Sequence, residues 1–326
     1  MAMGFGMRSR ASLVAHDLLI KARPPKGRPP DIVVKDNSGR TVVDEYWNDH
    51  ILHSRRFVTP KESKRYLRKR NSEYPMFLEL MDLYGDHTGE VVLDYGCGPG
   101  DDVTGLLLWS KAQKVIGMDV SGKALNYLRH RLALHEIDPS RVELIRITDA
   151  SGRIPLPDSS IDWIQCGGVL HHTTHPQEIV SEFKRIMKPG AQGRLMLYNR
   201  DSVTYHLWIA YAQLIVNNAL PGLTVDQAFT KSTDGPDCPV SDAWRPQQVL
   251  DMISGAGLTG AFRGGYVSTF ELDWWRTYSG DATRDQRLAD EHRQFVSDVV
   301  LNEKGLPTWH GNLAGIGGVY TIEKPT

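Results

Sequence analysis

The chain has 326 residues, of which 40% are hydrophobic and 24% are charged, and its formal net charge at pH 7 is -1. These proportions are ordinary for a globular protein, and the nearly neutral charge gives no general attraction to nucleic acid or to an anionic membrane. No apolar run approaches the roughly 20 residues that a membrane-spanning helix requires. The three cysteines lack the spacing of a disulfide framework or a metal site, so we expect no metal and a reducing, cytoplasmic location.

The first 88 residues carry no cofactor motif and are predicted to form two units. Residues 1–30 are basic and end in a proline-rich stretch, which is typical of a flexible segment; a transit peptide is the alternative. Residues 31–88 are predicted to form a helical extension or lid. Within them, the run 61–70 contains six basic residues, which form either a solvated helix face or a clamp for a phosphate or carboxylate.

The remaining sequence is organised around residues 91–102, where an apolar run leads into an acid and three alternate glycines. The β-branched run predicts a buried parallel strand, and Gly96, Gly98 and Gly100 predict a tight turn into a helix. The order Asp-x-Gly-x-Gly-x-Gly differs from the G-x-G-x-x-G of dinucleotide-binding folds. One acid before the turn and two at the helix start disfavour a diphosphate, so the pattern indicates a nucleotide-like ligand that carries positive charge.

Strand and helix patterns alternate between residues 91 and 198, as a parallel sheet with helical crossovers requires. Further strand segments lie at residues 115–121, 145–150, 161–172 and 193–198, and crossover helices at 123–136 and 176–187.

These segments, in this order, resemble the class I S-adenosylmethionine-dependent methyltransferases, most strongly over residues 90–200. The resemblance implies an α/β fold: a Rossmann-like, seven-stranded, mostly parallel sheet sandwiched by helices. It also implies S-adenosylmethionine as the cofactor and a cofactor-binding core at residues 89–200. Residues 201–326 would complete the sheet and contribute substrate-lid insertions at about 201–245 and 268–310.

The resemblance further implies a role for each motif. The glycine turn would cradle the methionine end of the cofactor. Asp119, about 20 residues after the turn, would accept hydrogen bonds from the ribose hydroxyls, and Asp149 would face the adenine amino group. An aromatic residue or an arginine of the N-terminal extension would close over the cofactor. The implied cofactor-binding residues are Asp94, Gly96, Cys97, Gly98, Gly100, Asp119, Val120, Asp149, Ala150, Gly167, Tyr46, Arg70 and Tyr74.

The part of the chain after residue 200 departs from the minimal fold. It predicts a helix over 204–220, an irregular stretch over 221–243, a helix over 247–256, a sixth strand near 264–267, a charged helix near 283–301 and a closing antiparallel strand at 317–322. Long irregular stretches are usually functional or disordered. The candidate substrate or lid residues are Tyr198, Tyr205, Asp234, Asp237 and Trp275. The aromatic residues Trp208, Tyr211, Trp274 and Trp275 fit the face of a sugar or polyketide, or else belong to the core.

Methyl transfer is a direct displacement, so the protein mainly has to hold the acceptor in line with the methyl group. A hydroxyl acceptor needs a general base, often a histidine, whereas an amine needs little activation. His171, His172 and His206 follow predicted strands at the edge where open α/β sheets bind ligands. Each is a candidate base; the alternative is a structural histidine that bonds the backbone.

The sequence therefore predicts a methyltransferase that acts on a small-molecule acceptor, preferably a hydroxyl of a sugar, glycoside or polyketide-like natural product. N-methylation is the alternative within this class. A nicotinamide-dependent oxidoreductase and a catalytically silent binding protein are the alternatives outside it. The expected partners do not include nucleic acid, and a homodimer is left open.

Overall fold

A computed structural model of the chain describes residues 32–36 and 40–326. The segment 1–30, predicted to be flexible, lies outside the described residues. Eleven strands occur in the described part: β1 (Val34–Asp36), β2 (Val91–Tyr95), β3 (Lys114–Asp119), β4 (Val142–Arg146), β5 (Ile161–Gly167), β6 (Met187–Tyr198), β7 (Thr259–Tyr266), β8 (Val300–Leu301), β9 (Pro307–Trp309), β10 (Asn312–Leu313) and β11 (Gly317–Glu323).

The main sheet has eight strands in the order β1-β4-β3-β2-β5-β6-β11-β7. Neighbouring strands are parallel from β1 to β6, and β11 is antiparallel to both β6 and β7. The predicted mostly parallel α/β architecture is confirmed. The predicted count of seven strands is wrong by one, because β1 adds an edge strand that pairs with β4. A strand of three residues is too short to show a period in the sequence.

The helices lie between these strands and in the C-terminal half. They are α1 (Val42–Asp49), α2 (Pro60–Ser72), α3 (Phe77–Met81), α4 (Asp101–Trp109), α5 (Gly122–Leu134), α6 (Pro176–Ile186), a π-helix (Thr204–Val216), α7 (Val225–Thr233), α8 (Pro246–Gly255), α9 (Thr269–Ala282) and α10 (Asp290–Asp298). Among the described residues, none of the helices has the length and apolar character needed to cross a membrane.

Three predictions for the C-terminal half need correction. The stretch 221–243, predicted to be irregular, contains α7, which begins with a capping box between Thr224 and Gln227. The T-x-x-Q pattern is a signal for the start of such a helix, although the sequence around it is rich in glycine and proline. The helix predicted over 204–220 has π geometry and ends at Val216. The second insertion contains two helices, α9 and α10, instead of one.

The sheet separates two apolar cores, as the alternation of side chains along a strand requires. In β2, Val92 belongs to the core beneath α4 and α5, whereas Leu93 belongs to the core beneath α6 and α8; both side chains are fully buried. The continuous apolar run of this strand therefore reflects burial on both faces. With β2, β3 and β5 parallel, the loops that follow them meet at one edge of the sheet.

Candidate active site

A cavity of about 890 Å³ opens where these loops meet. Its lining includes the turn after β2, the loops after β3, β4 and β5, parts of α1 and α2, and residues of the π-helix and α9. Cavities for small molecules typically measure about 300–1,000 Å³. This cavity is therefore large enough for a cofactor and a modest acceptor together.

The glycine turn, residues 96–100, has left-handed backbone conformations at all three glycines: φ is 76° at Gly96, 53° at Gly98 and 82° at Gly100. A Cβ atom on Gly96 would lie 2.1 Å from Val169, and one on Gly100 would lie 2.1 Å from Leu128. At Gly98 nothing lies within 4 Å of that position. The outer two glycines thus allow close packing, while Gly98 leaves space that a ligand can fill.

Two acids at the ends of neighbouring strands lie beside this turn. The Asp119 carboxylate accepts hydrogen bonds from the backbone N–H groups of Gly98 (2.8 Å) and Ser121 (2.7 Å). Burial raises the pKa of Asp119 to about 6. The side chain of Asp94 is buried, and its Oδ2 has no hydrogen-bond partner among the described residues. A buried acceptor without a partner costs free energy, so this cavity floor suits a ligand that donates hydrogen bonds or carries positive charge.

Asp149 lies in the loop after β4 and also lines the cavity. Its carboxylate accepts from the Thr173 and Thr174 hydroxyls, the latter at 2.7 Å. Its backbone N–H donates to Asp44 Oδ1 at 2.8 Å, and Asp44 is almost fully buried. Asp44 was not among the predicted site residues, although its capping box with Thr41 was a visible signal for the start of α1.

The two acids at the start of α4 are already paired with arginines. Arg70 Nη1 donates to Asp102 Oδ1 at 2.5 Å, and Arg131 forms a buried ion pair with Asp101. The negative charge that the sequence pattern assigned to these two acids is therefore balanced by arginines, although both acids line the cavity. The acids of the cavity lining that are not paired with an arginine include Asp94, Asp119 and Asp149. Arg70 still lines the cavity, as does Tyr74.

His172 is the one predicted base that lines the cavity. Its Nδ1 donates to the Val240 carbonyl oxygen at 2.8 Å, which leaves Nε2 as the acceptor nitrogen of the neutral ring. This Nε2 lies 3.6 Å from Asp234 Oδ2. Burial lowers the pKa of His172, and the Asp234 carboxylate opposes that shift. The imidazole is thus held neutral and oriented, with an acid positioned to stabilise its protonated form.

Asp234 is itself fixed by the residues around it. It accepts hydrogen bonds from the Tyr198 hydroxyl (3.1 Å) and from Ser241 Oγ (2.9 Å), and Tyr198 also lines the cavity. The Trp47 ring packs 4.7 Å from the His172 ring. Trp47 was not predicted, because its contact depends on how α1 docks on the core.

The other two candidate bases do not line the cavity. His171 Nδ1 accepts a hydrogen bond from the Tyr198 backbone N–H at 3.2 Å, and its ring packs at a tilt against the Tyr198 ring, with centroids 3.9 Å apart. The Nδ1 atoms of His206 and His292 lie 2.8 Å apart, and the His206 ring stacks on Phe295. Burial lowers the pKa of His206 to about 2. Both histidines therefore have structural contacts, and we do not retain them as candidate bases.

Some of the remaining predicted substrate and cofactor residues line the cavity, and others lie away from it. Tyr205 donates to Asp226 Oδ1 at 2.6 Å, Asp237 is exposed, and Trp275 packs in the core around the π-helix; none of them lines the cavity. The lining does include Trp208 and Trp274. The other predicted cofactor residues in the cavity lining are Gly96, Cys97, Gly98, Val120 and Gly167, whereas Gly100 and Ala150 are not part of it.

Tyr46, predicted to close over the cofactor, lies behind the cavity wall. Its hydroxyl donates to the Asp234 carbonyl oxygen at 2.6 Å. Tyr46 therefore joins α1 to the loop that carries the acid beside His172.

Replacing this tyrosine by phenylalanine, Tyr46→Phe, is expected to lower the free energy of unfolding by about 1 kcal/mol, because one hydrogen bond is lost. Cofactor affinity is expected to stay within about twofold. Denaturant unfolding and calorimetric titration check the two values. Tyr74→Phe is the matched control, since it removes a hydroxyl from a tyrosine that does line the cavity. A tenfold loss of cofactor affinity in Tyr46→Phe would indicate that Tyr46 contacts the cofactor after all.

Residues 93–195 match a protein-family model described as a methyltransferase domain. A ubiquinone biosynthesis O-methyltransferase of Thiobacillus denitrificans is 31% identical over 155 residues, which cover 47% of this chain and 63% of that protein. An uncharacterized transposon protein of Streptomyces fradiae is 29% identical over 217 residues, 60% of this chain and 59% of that protein. The chain thus spans less than two thirds of the length of these relatives.

Two solved structures share the fold. Geranyl diphosphate C-methyltransferase from Streptomyces coelicolor has a TM-score of 0.50 at 15% identity, covering 88% of this chain and 100% of that one. A chain from the complex of the Haloferax volcanii Trm112 methyltransferase activator with a putative methyltransferase has a TM-score of 0.51 at 15% identity, covering 89% and 100%.

The parallel sheet, the glycine turn and the acids beside it define a Rossmann-like nucleotide-binding domain. The match over residues 93–195 shows that the chain contains a methyltransferase domain, and S-adenosylmethionine is its cofactor. The resemblance of the sequence to S-adenosylmethionine-dependent methyltransferases is confirmed for this domain.

Proposed function

We propose that this chain transfers the methyl group of S-adenosylmethionine to a hydroxyl of a small-molecule acceptor. The observation that carries the proposal is the pairing of His172 with Asp234 in the cavity. A hydroxyl is a poor nucleophile at neutral pH, so its methylation benefits from a base of this kind. The relative from Thiobacillus denitrificans, named as an O-methyltransferase, supports the same reaction type.

In this mechanism the cofactor supplies an electrophilic methyl group, and the chain binds, orients and moves one proton. Gly98 and Asp119 would hold the nucleoside and methionine parts of the cofactor, with Asp94 beneath them. His172 Nε2 would accept the proton of the acceptor hydroxyl as the oxygen attacks. Asp234 would stabilise the imidazolium that forms, and its own bond from Tyr198 keeps it in place.

Replacing the acid by its amide, Asp234→Asn, is expected to lower turnover by about tenfold and to shift its pH profile. The Asp234 carboxylate raises the pKa of His172 against the effect of burial. Without the carboxylate, that pKa falls, and the acidic limb of the profile moves to lower pH. The measurement is kcat between pH 5 and 9. An acidic limb that moves to higher pH would show that the carboxylate does not act on His172.

A calorimetric titration with S-adenosylmethionine and S-adenosylhomocysteine, beside a nicotinamide dinucleotide, tests the cofactor part of the proposal. Binding of the first two alone is expected; binding of the dinucleotide alone would favour an oxidoreductase. An acceptor screen by mass spectrometry then compares hydroxylated sugars, glycosides and polyketides with amines. Methylation confined to amines would replace O-methylation by N-methylation, and cofactor binding without any turnover would favour a silent binding protein. A homodimer and a cytoplasmic location stay predictions.

A further inference from the structure

The C-terminal half of the chain contributes an aromatic wall to the cavity, formed by Trp208, Trp274 and Phe270. The indole rings of Trp208 and Trp274 are parallel, with centroids 4.2 Å apart and 6° between their planes. Phe270 lies one turn before Trp274, and 48% of its surface is exposed. All three line the cavity, and all lie outside residues 93–195, which match the family model. A large, half-exposed apolar side chain on a cavity wall is typical of a ligand-contact surface.

Two polar side chains that share elements or loops with this aromatic wall, Thr204 and Ser268, are already hydrogen-bonded to a buried acid. Glu271 is fully buried and accepts from Thr204 Oγ1 (2.8 Å), Ser268 Oγ (3.2 Å) and the Ile316 backbone N–H (2.9 Å). Thr204 and Ser268 both line the cavity, so their hydroxyls would otherwise be the natural partners of a ligand. Glu271 therefore takes the hydroxyl protons of Thr204 and Ser268, so these two groups cannot donate to the oxygens of a sugar, and a sugar buried there would lose hydrogen bonds to water.

We propose that Trp208, Trp274 and Phe270 form a subsite for an apolar portion of the acceptor, so that the acceptor is a hydroxylated molecule with an apolar extension and not a sugar. This inference rests on the proposed function, because it places the hydroxyl at His172 and the apolar portion against the aromatic wall. It narrows the acceptor classes expected from the sequence, which included sugars and glycosides.

Equilibrium dialysis of the full chain, saturated with S-adenosylhomocysteine, tests this subsite without turnover. The probes are 4-alkylphenols with side chains of one, four and eight carbons, and methyl glucoside. Each methylene that reaches the aromatic wall is expected to raise affinity by about two- to fourfold, because a buried methylene is worth roughly 0.8 kcal/mol. Methyl glucoside is expected to bind more weakly than every alkylphenol.

Variants of the aromatic wall decide whether the chain-length effect arises there. Trp274→Ala is expected to remove most of the dependence on chain length, and Phe270→Ala, at a half-exposed position, to reduce it. Trp275→Ala is the matched control, because this neighbouring indole does not line the cavity. Unchanged affinity for S-adenosylhomocysteine shows that each variant is folded.

Three results would overturn the subsite: equal affinity for all chain lengths, glucoside binding as tight as that of the octyl compound, or an undiminished chain-length effect in Trp274→Ala. If the chain-length effect depends on Trp274 but no hydroxyl compound is methylated, the subsite stands and the proposed function fails. The two inferences are thereby tested separately.

Discussion

His172→Ala is expected to reduce methyl transfer to a hydroxyl acceptor by about a hundredfold or more, which is the usual contribution of a general base. Cofactor affinity is expected to change by less than about threefold, because the ring is held by Val240 and lies beside Asp234, apart from the glycine turn. The measurements are kcat with a saturating acceptor and a calorimetric titration with S-adenosylhomocysteine.

The neighbouring histidine provides the matched control. His171→Gln removes a buried ring that packs on Tyr198 and does not line the cavity. It is expected to lower the unfolding temperature but to keep turnover well above that of His172→Ala. A fully active His172→Ala variant would show that His172 is not a required base, and it would favour an amine acceptor, since amines need little activation. A larger loss of turnover in His171→Gln than in His172→Ala would indicate that His171, and not His172, acts as the general base.

The sequence predicted the glycine turn and the acid beside it because the signals for both are local. Gly98 and Asp119 are each fixed by the strand that precedes them, and parallel pairing of β2 with β3 brings the two together. The alternation of strand and helix patterns between residues 91 and 198 was sufficient to predict this arrangement. The edge strand β1 escaped detection because three residues show no period.

The part of the cavity that we assign to the acceptor was harder to predict because it depends on how distant elements dock. Trp274 and Trp275 are adjacent on α9, and only the packing of that helix decides that Trp274 lines the cavity. The pairing of Asp101 with Arg131 joins positions 30 residues apart, so the sequence pattern overstated the free negative charge at the start of α4. Likewise, Tyr46 reaches a loop near residue 234, a contact with no local signature.

Asp119→Ala is expected to weaken binding of S-adenosylmethionine by about a hundredfold. We infer that its carboxylate accepts hydrogen bonds from the ribose hydroxyls. Each hydrogen bond to a charged group contributes about 1.5–3 kcal/mol to the binding free energy. The variant also leaves the backbone N–H groups of Gly98 and Ser121 without their acceptor, which loosens the glycine turn. Calorimetric titration at pH 7.5 measures the loss. Asp138→Ala, at an aspartate outside the cavity lining, is the matched control and is expected to bind like the wild type.

The pH dependence of binding distinguishes a direct contact of Asp119 from a purely structural role. Burial raises the pKa of this carboxyl to about 6, so in the free protein it takes up a proton as the pH falls through about 6. The protonated group accepts fewer hydrogen bonds from ribose, and cofactor affinity is therefore expected to decline between pH 7 and pH 5. Asp119→Asn, which keeps the shape but cannot titrate, is expected to bind more weakly at pH 7 and to lose this decline. If Asp119→Ala keeps wild-type affinity, the ribose does not contact Asp119. If cofactor affinity still declines between pH 7 and pH 5 in Asp119→Asn, another acid is responsible for the decline. Asp94, whose Oδ2 has no hydrogen-bond partner among the described residues, is then the next candidate.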